Sequence, residues 1–232
     1  MLLAAPRPGG DPPGAPALPK RGETAVAIDV LRATTTLTVA LRAGAARVRE
    51  AVTPDEAWQM RAAEPDALLC GEREGLKIPG FDLGNSPSEY EPAVVQGRTL
   101  LFASTNGSLA LRAAQGAGRR VLAAFVNLSA VVERIAGDSR IVIVCAGKLG
   151  GFAIEDAACA GLLCRRLGER GARLEGAAAR LVLELAPDGS AETRALVEGA
   201  AHARYLRSVS PAFARDVARC AELDTIDQAY EV

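Results

Sequence analysis

The chain has 232 residues, of which 49% are hydrophobic and 24% charged, and its formal net charge is −1. That length supports one large domain or two small ones with a real hydrophobic core. The balanced charge argues against a nucleic-acid binder and against a polyanionic tail. The sequence contains no run of about 18 consecutive apolar residues, so we expect no membrane-spanning helix.

The cysteines indicate a reducing compartment. They are odd in number and lie within or beside apolar runs: Cys70, Cys145, Cys159, Cys164 and Cys220. The opening segment MLLAAPRPGG has no basic region and too short an apolar run for a secretory signal. We therefore expect reduced, mostly buried thiols in a cytoplasmic protein.

The first 22 residues differ in composition from the rest of the chain. They contain six prolines and four glycines without apolar periodicity, which indicates an extended or mobile lead-in to a catalytic unit over residues 23–232. From Glu23 onward a theme recurs: a short apolar strand, a polar or glycine-bearing corner, and then an amphipathic helix. Its first instance has a strand to about Ile28 and a helix that ends at Gly44.

The next instances of this theme follow in order. A strand in DALLCGER runs into a long polar stretch. Residues 99–104 form a strand, followed by a corner at 105–107 and a helix to about Gln115. The segment RRVLAAFVNLSAVVERIAG repeats the pattern and turns at Asn127.

The last instance is the longest, and it completes the prediction of fold class. It has a strand at 140–145, a glycine loop and a helix from about Ile154 to Gly168, and the chain after Gly176 is helical. Continuous apolar strands that alternate with helices predict an α/β fold with mainly parallel sheets in a three-layer α/β/α arrangement. A division into two lobes near residues 136–140 is one option within that class.

The first corner carries a carboxylate, a guanidinium and hydroxyls. Ligands of an open parallel sheet bind beyond the carboxyl ends of its strands, and AIDVLRATTT places Asp29 at such an end with Arg32 one turn further. A carboxylate suits Mg²⁺, while a guanidinium and the helix start at 34–36 suit a phosphate. The alternative is an ordinary Asp–Arg ion pair with a threonine cap, and the spacing alone leaves both open.

The later corners give weaker signals. The segment STNGS at 104–108 can present N–H groups and hydroxyls to an anion, although a tight turn with a helix cap is the favoured interpretation of it alone. CAGKLGGFAIED offers Lys148 to an anion and begins a helix with Glu155 and Asp156. Acidic residues in a first helical turn are also explained by the helix dipole.

A polar stretch of twenty residues, GEREGLKIPGFDLGNSPSEY, interrupts the apolar pattern at 71–90. Alone it fits either a solvated loop or a site. Because it follows a predicted strand, we expect it to fold over the carboxyl edge of the sheet as a wall of the site. The side chains expected to face the ligand are Glu72, Arg73, Asp82, Asn85 and Ser86. Those expected to face solvent are Glu74, Lys77 and Glu89, while Phe81 and Tyr90 pack the stretch down.

Several common signatures are absent or misleading. There is no G-x-x-x-x-G-K-[ST] loop and no G-x-G-x-x-G fingerprint. Cys159 and Arg165 match the spacing of cysteine phosphatases, but the segment between them is helical and apolar, so no phosphate loop forms around the thiol. The single histidine, His202, is interpreted as a surface or packing residue.

Taken together, the corners resemble the 2-phosphosulfolactate phosphatase family. The matching segments are AIDVLRATTT, GEREGLKIPGFDLGNSPSEY, STNGSLAL, NLSA, VCAGKLGGFAIEDAACAG and AHARYL, which extend from residue 27 to residue 206. The resemblance implies a hydrolase with an α/β fold. Such an enzyme would use Mg²⁺ to convert 2-phospho-3-sulfolactate into 3-sulfolactate and phosphate. The chain departs from the family in its Pro-rich beginning and in STNGS, and Lys148 lies where relatives differ, so it is not counted as essential.

The resemblance also implies the site residues. The catalytic candidates are Asp29, Arg32, Glu72, Arg73, Glu155 and Asp156. The substrate-binding candidates are Asn85, Ser86, Thr105, Asn106 and Gly107, and the metal ligands are Asp29, Asp82 and Glu155. The expected partner is a small anionic phosphorylated substrate, not a nucleic acid or a membrane, and a homodimer is the base-rate expectation. Two alternatives stay open: a Mg²⁺-dependent phosphatase of another small phosphorylated hydroxy acid, and a non-catalytic anion-binding protein.

Overall fold

The computed structural model describes residues 18–232, so most of the predicted lead-in over 1–22 lies outside the described residues. The described chain contains eight strands: β1 (Thr24–Ile28), β2 (Arg47–Glu50), β3 (Leu68–Arg73), β4 (Leu76–Lys77), β5 (Thr99–Ala103), β6 (Arg119–Ala123), β7 (Ile141–Cys145) and β8 (Tyr230–Glu231). It also contains ten α-helices: α1 (Ala33–Arg42), α2 (Pro54–Ala63), α3 (Pro92–Val95), α4 (Gly107–Ala113), α5 (Leu128–Ile135), α6 (Ile154–Glu169), α7 (Ala177–Leu183), α8 (Ser190–Gly199), α9 (Ala201–Val209) and α10 (Phe213–Cys220).

The strands form two four-stranded sheets. The first sheet has the order β7-β1-β6-β8, and the second has the order β2-β5-β3-β4. All neighbouring strands run parallel except β8 and β4, which are antiparallel at the edges. In the first sheet, Ile28 is in register with Ala123 on one side and Cys145 on the other. The carboxyl ends of these three strands are therefore level, and the predicted α/β class is confirmed.

Each sheet carries helices on both faces, because its apolar strands must be covered twice. Helices α1 and α4 lie between the two sheets, in an apolar cluster that joins Ala27 of β1, Leu37 of α1, Phe102 of β5, Leu111 of α4 and Leu122 of β6. The far side of the first sheet packs against α5–α10, and the far side of the second packs against α2. Each sheet with its helices is thus a three-layer α/β/α unit.

The division between the two sheets does not coincide with residues 136–140. Both strands that flank this segment, β6 and β7, pair with β1 in the first sheet. The chain passes instead from the first sheet to the second through α1 and returns through α4. Since α1 and α4 are shared by both sheets, a cut near 136–140 would separate strands that belong together.

Elements β2, α2 and β8 do not follow the apolar strand–corner–helix theme. Strand β2 reads RVRE, and only alternate residues of it are buried, as expected at a sheet edge. Helix α2 has one buried residue, Ala57, and is capped by Thr53, whose hydroxyl accepts the N–H of Glu56. Such elements lack the apolar runs by which the other strands are predicted.

The cysteines are buried and reduced, as the sequence predicts. All five cysteines are buried and none forms a disulfide. Burial raises the pKa of the Cys159 thiol well above its ordinary value, which agrees with rejecting the cysteine-phosphatase spacing. No helix within residues 18–232 is long and apolar enough to cross a bilayer.

Candidate active site

A cavity of about 510 Å³ lies where the carboxyl ends of strands from both sheets meet the C-terminal helices. The size is that of a small-molecule site. It is lined by Asp29, Leu31, Arg32, Glu72, Arg73, Glu74, Gly75, Asn85, Thr105, Asn106, Lys148, Leu149, His202, Tyr205 and Leu206. Strands β1 and β7 bring residues from the first sheet and β3 and β5 from the second, so four corners share this cavity.

Asp29 is the first residue after β1, and its carboxyl group is almost fully buried. Its main-chain N–H donates to the hydroxyl of Thr34 over 2.9 Å, which fixes the corner. Burial, together with the nearby carboxylates Glu72 and Glu155, raises the pKa of Asp29 from 3.8 to about 7, while the N–H of Ala33 and the charge of Arg32 oppose the rise. A carboxyl group held in this way titrates near neutrality and favours a nearby cation.

Glu72 connects two corners of the second sheet. One carboxylate oxygen accepts the N–H of Thr105 over 2.8 Å, and the other accepts the N–H of Gly75 over 2.8 Å. The expected N–H cradle at 105–107 is therefore partly used inside the protein. Gly71, one residue earlier, has φ +142°, and a Cβ there would lie 2.0 Å from the carbonyl oxygen of Ala103. Only glycine lets β3 approach β5 closely enough to bring Glu72 into position.

Arg32 forms its ion pair with Asp216 of α10. The distance from Nη1 to the carboxylate is 2.6 Å, and Nη2 donates to the carbonyl of Gly75 over 2.7 Å. The guanidinium also lies 4.1 Å from the ring centroid of Phe213, and the other oxygen of Asp216 accepts the hydroxyl of Ser86 over 2.6 Å. Arg32 is thus fixed by groups far along the chain, and its charge is balanced within the protein.

Arg73 reaches the cavity in a different way. Its guanidinium donates to the main-chain carbonyls of Glu72, Ala103 and Val52 over 2.7, 3.1 and 2.8 Å. No carboxylate forms an ion pair with it within residues 18–232. Its donors hold the two corners together, while its positive charge is left to act on the cavity.

The acidic pair at the start of α6 has divided functions. Both carboxylate oxygens of Asp156 accept main-chain N–H groups, from Val30 at 2.8 Å and from Gly147 at 2.9 Å. This side chain joins the corners after β1 and β7 and does not line the cavity. Burial, followed by the charge of Asp29, holds its pKa well above the ordinary value. Glu155 is buried beside the cavity, 3.4 Å from Nδ1 of His202.

The structure corrects the expected position of Asp82. Its carboxylate accepts N–H groups from Arg61 at 2.9 Å and from the main chain of Leu69 at 2.8 Å, and it does not line the cavity. The reason is that the chain turns back along β3, where Leu83 bridges Cys70. Asp82 therefore lies beside the middle of the strand instead of its carboxyl end.

The rest of the 71–90 stretch behaves largely as a wall. Asn85 and Glu72 are buried at the cavity, while Ser86 is held by its bond to Asp216 and does not line it. Phe81 and Tyr90 are buried, Glu74 and Lys77 are exposed, and Glu89 is half-buried with its carboxylate accepting the N–H of Gly84. Gly107 does not line the cavity either, but a Cβ there would lie 2.7 Å from the Asp29 carboxylate, so it permits α4 to approach.

The structure adds cavity residues that the sequence interpretation missed or set aside. Lys148 lines the cavity, and so do His202, Tyr205 and Leu206 of α9, although the sequence predicts a surface or packing role for His202. Asp216 supports Arg32 from a helix 184 residues later in the sequence. The one signal for this wall was AHARYL, which the family resemblance contained but which no chemical pattern singled out.

The residues present fit a hard cation that is shared with a substrate. Asp29 and Glu72 bring carboxylates to the cavity, and the buried Asn85 Oδ1 and Thr105 Oγ1 have no hydrogen-bond partner. Mg²⁺ is usually held by one or two carboxylates together with water and substrate oxygens. Within the described chain, no three His, Cys, Asp or Glu side chains are grouped as a ready-made metal site. The predicted trio of Asp29, Asp82 and Glu155 is therefore not assembled.

Comparison with known proteins agrees with this assembly of corners. The model of the 2-phosphosulpholactate phosphatase family matches residues 14–232. The chain belongs to this family. Relatives named "Probable 2-phosphosulfolactate phosphatase" include one from Clostridium acetobutylicum, 36% identical over 89% of this chain and 88% of the relative. Another, from Thermotoga petrophila, is 38% identical over 90% of this chain and 89% of the relative.

A third relative with the same name, from Symbiobacterium thermophilum, is 46% identical over 151 residues. That alignment spans 64% of this chain and 65% of the relative, slightly less than two thirds. The family resemblance deduced from separate motifs is confirmed over nearly the whole chain. In this family member, five of the six motifs contribute residues to one cavity at the carboxyl edges of two sheets; NLSA does not line it, and Asp82 and Ser86 are turned away from it.

Proposed function

We propose that the chain hydrolyses the phosphate ester of 2-phospho-3-sulfolactate, with Mg²⁺ as cofactor, and releases 3-sulfolactate and phosphate. The observation that carries the proposal is the buried Asp29, which faces a small-molecule cavity beside Glu72 and has its pKa raised to about 7. Buried like charges destabilise a fold unless a cation or a reaction uses them. Membership of a phosphatase family supplies the reaction class.

Asp29 and Glu72 are the residues that would hold Mg²⁺, together with the unpartnered amide oxygen of Asn85. When bound there, the cation would supply charge neutralisation at the phosphoryl group and would polarise a water molecule. The protein's own task is to keep these oxygens fixed before the substrate arrives. Glu72 is held by two main-chain N–H groups and Asp29 by one, so neither carboxylate needs to reorganise.

Positive groups then orient the anionic substrate. The charge of Arg73 is not balanced by an ion pair within residues 18–232, and the hydroxyl of Thr105 has no partner and can donate to a phosphoryl oxygen. Arg32 contributes a fixed but largely balanced charge at the same wall. Hydrolysis forms a bond from phosphorus to the oxygen of water and breaks the bond to the ester oxygen. One water proton ends on the ester oxygen and the other stays on phosphate.

The test is phosphate release from a panel of small phosphate esters, with 2-phospho-3-sulfolactate and other phosphorylated hydroxy acids. Each is assayed with Mg²⁺, with Mn²⁺ and with EDTA. We expect release from 2-phospho-3-sulfolactate that needs the divalent cation and is lost in Asp29→Asn. Faster release from another phosphorylated acid would change the substrate. If no ester is hydrolysed and ligands still raise the melting temperature, the chain is an anion-binding protein and the proposal is refuted.

Location and assembly stay predictions. Five buried thiols without disulfides support a reducing compartment, and we propose the cytoplasm. A homodimer stays the base-rate expectation for such an enzyme. Sedimentation of the purified protein measures its mass in solution directly.

A further inference from the structure

Lys148 lies in the loop between β7 and α6 and lines the cavity. The ammonium nitrogen is 4.1 Å from the ring centroid of Tyr205, a cation–π contact. Within the described residues it forms no ion pair with any carboxylate. Burial lowers the pKa of Lys148 below its ordinary 10.5, and the charges of Glu72, Glu155 and Asp29 oppose that effect.

The main chain around Lys148 is fixed on both sides. Its N–H donates to the carbonyl of Gly151 over 3.1 Å, and the N–H of Gly151 donates back over 2.8 Å. The N–H of Leu149 donates to the side-chain oxygen of Asn106 over 2.9 Å, which ties the loop to the corner after β5. On the other side, the hydroxyl of Tyr205 donates to the carbonyl of Glu74 over 3.1 Å. These hydrogen bonds fix the loop that carries Lys148 and the ring that its ammonium group contacts.

Comparison with the two cavity arginines shows what is special about this lysine. Arg32 has both terminal nitrogens engaged, and its charge is balanced by Asp216. The terminal nitrogens of Arg73 donate to three main-chain carbonyls. Lys148 combines a positive charge with ammonium N–H donors that form no hydrogen bond within residues 18–232. It is the cavity cation best able to form charge-assisted hydrogen bonds to a ligand.

The position of Lys148 indicates which part of the ligand it meets. The carboxylates Asp29 and Glu72 project from β1 and β3, and the phosphoryl group belongs beside them with the cation. Lys148 projects from β7 and stands against Tyr205 of α9, on the wall formed by the C-terminal helices. A cavity of about 510 Å³ extends from the one wall to the other, so a phosphorylated acid can place its second charged group there.

We propose that Lys148 binds the second acid group of the substrate, a sulfonate or a carboxylate, and so selects phosphorylated acids over phosphate esters of uncharged alcohols. The inference rests on the proposed function for its substrate class. A charge-assisted hydrogen bond in a half-buried site corresponds to about 10- to 100-fold in affinity. The ring of Tyr205 supports the ammonium group from one side.

The experiment measures binding of two separate probes by calorimetry in the presence of Mg²⁺: 3-sulfolactate, which carries the acid groups, and inorganic phosphate. Lys148→Met keeps the apolar stem and removes the charge, and Lys148→Arg keeps the charge. Lys77→Met is the matched control, because Lys77 is an exposed lysine outside the cavity. We expect Lys148→Met to lower the affinity for 3-sulfolactate about 10- to 100-fold and the affinity for phosphate less than about threefold. Lys148→Arg should retain much of the wild-type affinity for 3-sulfolactate.

Three binding outcomes would overturn the inference. Equal weakening of both probes would place Lys148 at the phosphoryl group, and unchanged binding of 3-sulfolactate would leave it without this function. Binding of neither probe by the wild-type protein would refute the subsite. The proposed function fails separately: a wild-type protein that hydrolyses no ester, yet binds 3-sulfolactate through Lys148, would keep the acid subsite and lose the phosphatase. Melting temperatures of all variants show whether each is folded.

Discussion

Replacing Asp29 by asparagine should abolish phosphate release and, without divalent cations, make the protein more stable at neutral pH. The side chain is almost fully buried, and this burial, with the added charges of Glu72 and Glu155, raises its pKa to about 7. An asparagine keeps the shape and can still accept the N–H of Ala33, but it carries no charge. The substitution therefore removes a buried negative charge and leaves the packing in place.

The magnitude follows from the pKa. A rise from 3.8 to about 7 is roughly three units, and at 1.36 kcal/mol per unit the ionised carboxylate destabilises the native state by at most ~4 kcal/mol. Between these two pH values the native carboxyl group holds a proton that the unfolded chain has released. The free energy of unfolding should therefore fall as pH rises from about 4 to about 7, and stay low above that range.

Urea unfolding in EDTA at about pH 4, 6 and 8 measures this difference. Asp29→Asn should match the wild type near pH 4 and exceed it increasingly as pH rises. Added Mg²⁺ should stabilise the wild type at pH 8 by binding the native state only, and should do much less for the variant. A variant that is less stable than the wild type at pH 8 in EDTA, or a difference independent of pH, would refute the reasoning about buried like charge.

Three further substitutions test the placement of individual residues. Asp82→Asn should keep near-wild-type turnover and lose at most ~1 kcal/mol of stability, because it breaks a half-exposed ion pair with Arg61 outside the cavity; a large loss of turnover would return Asp82 to the site. Gly107→Ala should lower turnover about tenfold or more, since its methyl group would lie 2.3 Å from Cβ of Ala33 and 2.7 Å from the Asp29 carboxylate and would shift both; unchanged kinetics would show that α4 adjusts freely. Arg32→Lys keeps the charge but loses the planar guanidinium that reaches a buried carboxylate and a carbonyl together. Chemical denaturation should show a loss of about 3 kcal/mol in the free energy of unfolding. An unchanged free energy of unfolding would contradict the importance of that geometry.

The corners that follow apolar strands could be predicted from the sequence, for a physical reason. Strands buried on both faces are continuous apolar runs, and the carboxyl ends of parallel strands meet at one edge. Asp29, Glu72 and Thr105 each come directly at or after such a run, and the structure brings all three to the cavity. Fold class and this half of the site therefore follow from local pattern and one topological rule.

Asp82 shows where that reasoning stops. Residues 71–90 contain no regular element long enough to fix direction by periodicity, so the sequence does not show that the chain returns along β3. Once Leu83 bridges Cys70, Asp82 must lie beside Leu69 and away from the edge. The position of Asp82 depends on this main-chain pairing, which the polar side chains of the loop do not predict.

The C-terminal helices show a second reason. Asp216 holds Arg32, and Tyr205 holds the hairpin after β3 while it supports the ammonium group of Lys148. These partners are separated by more than a hundred residues or lie on helices with no catalytic pattern, so composition and spacing do not connect them. Two sheets that share α1 and α4 bring the carboxylates together, and such a cluster of like charge needs positive groups fixed opposite it. The helices after residue 176 hold two of these groups in place, Arg32 through Asp216 and Lys148 through the ring of Tyr205, which makes them part of the site and not merely a cover for the first sheet.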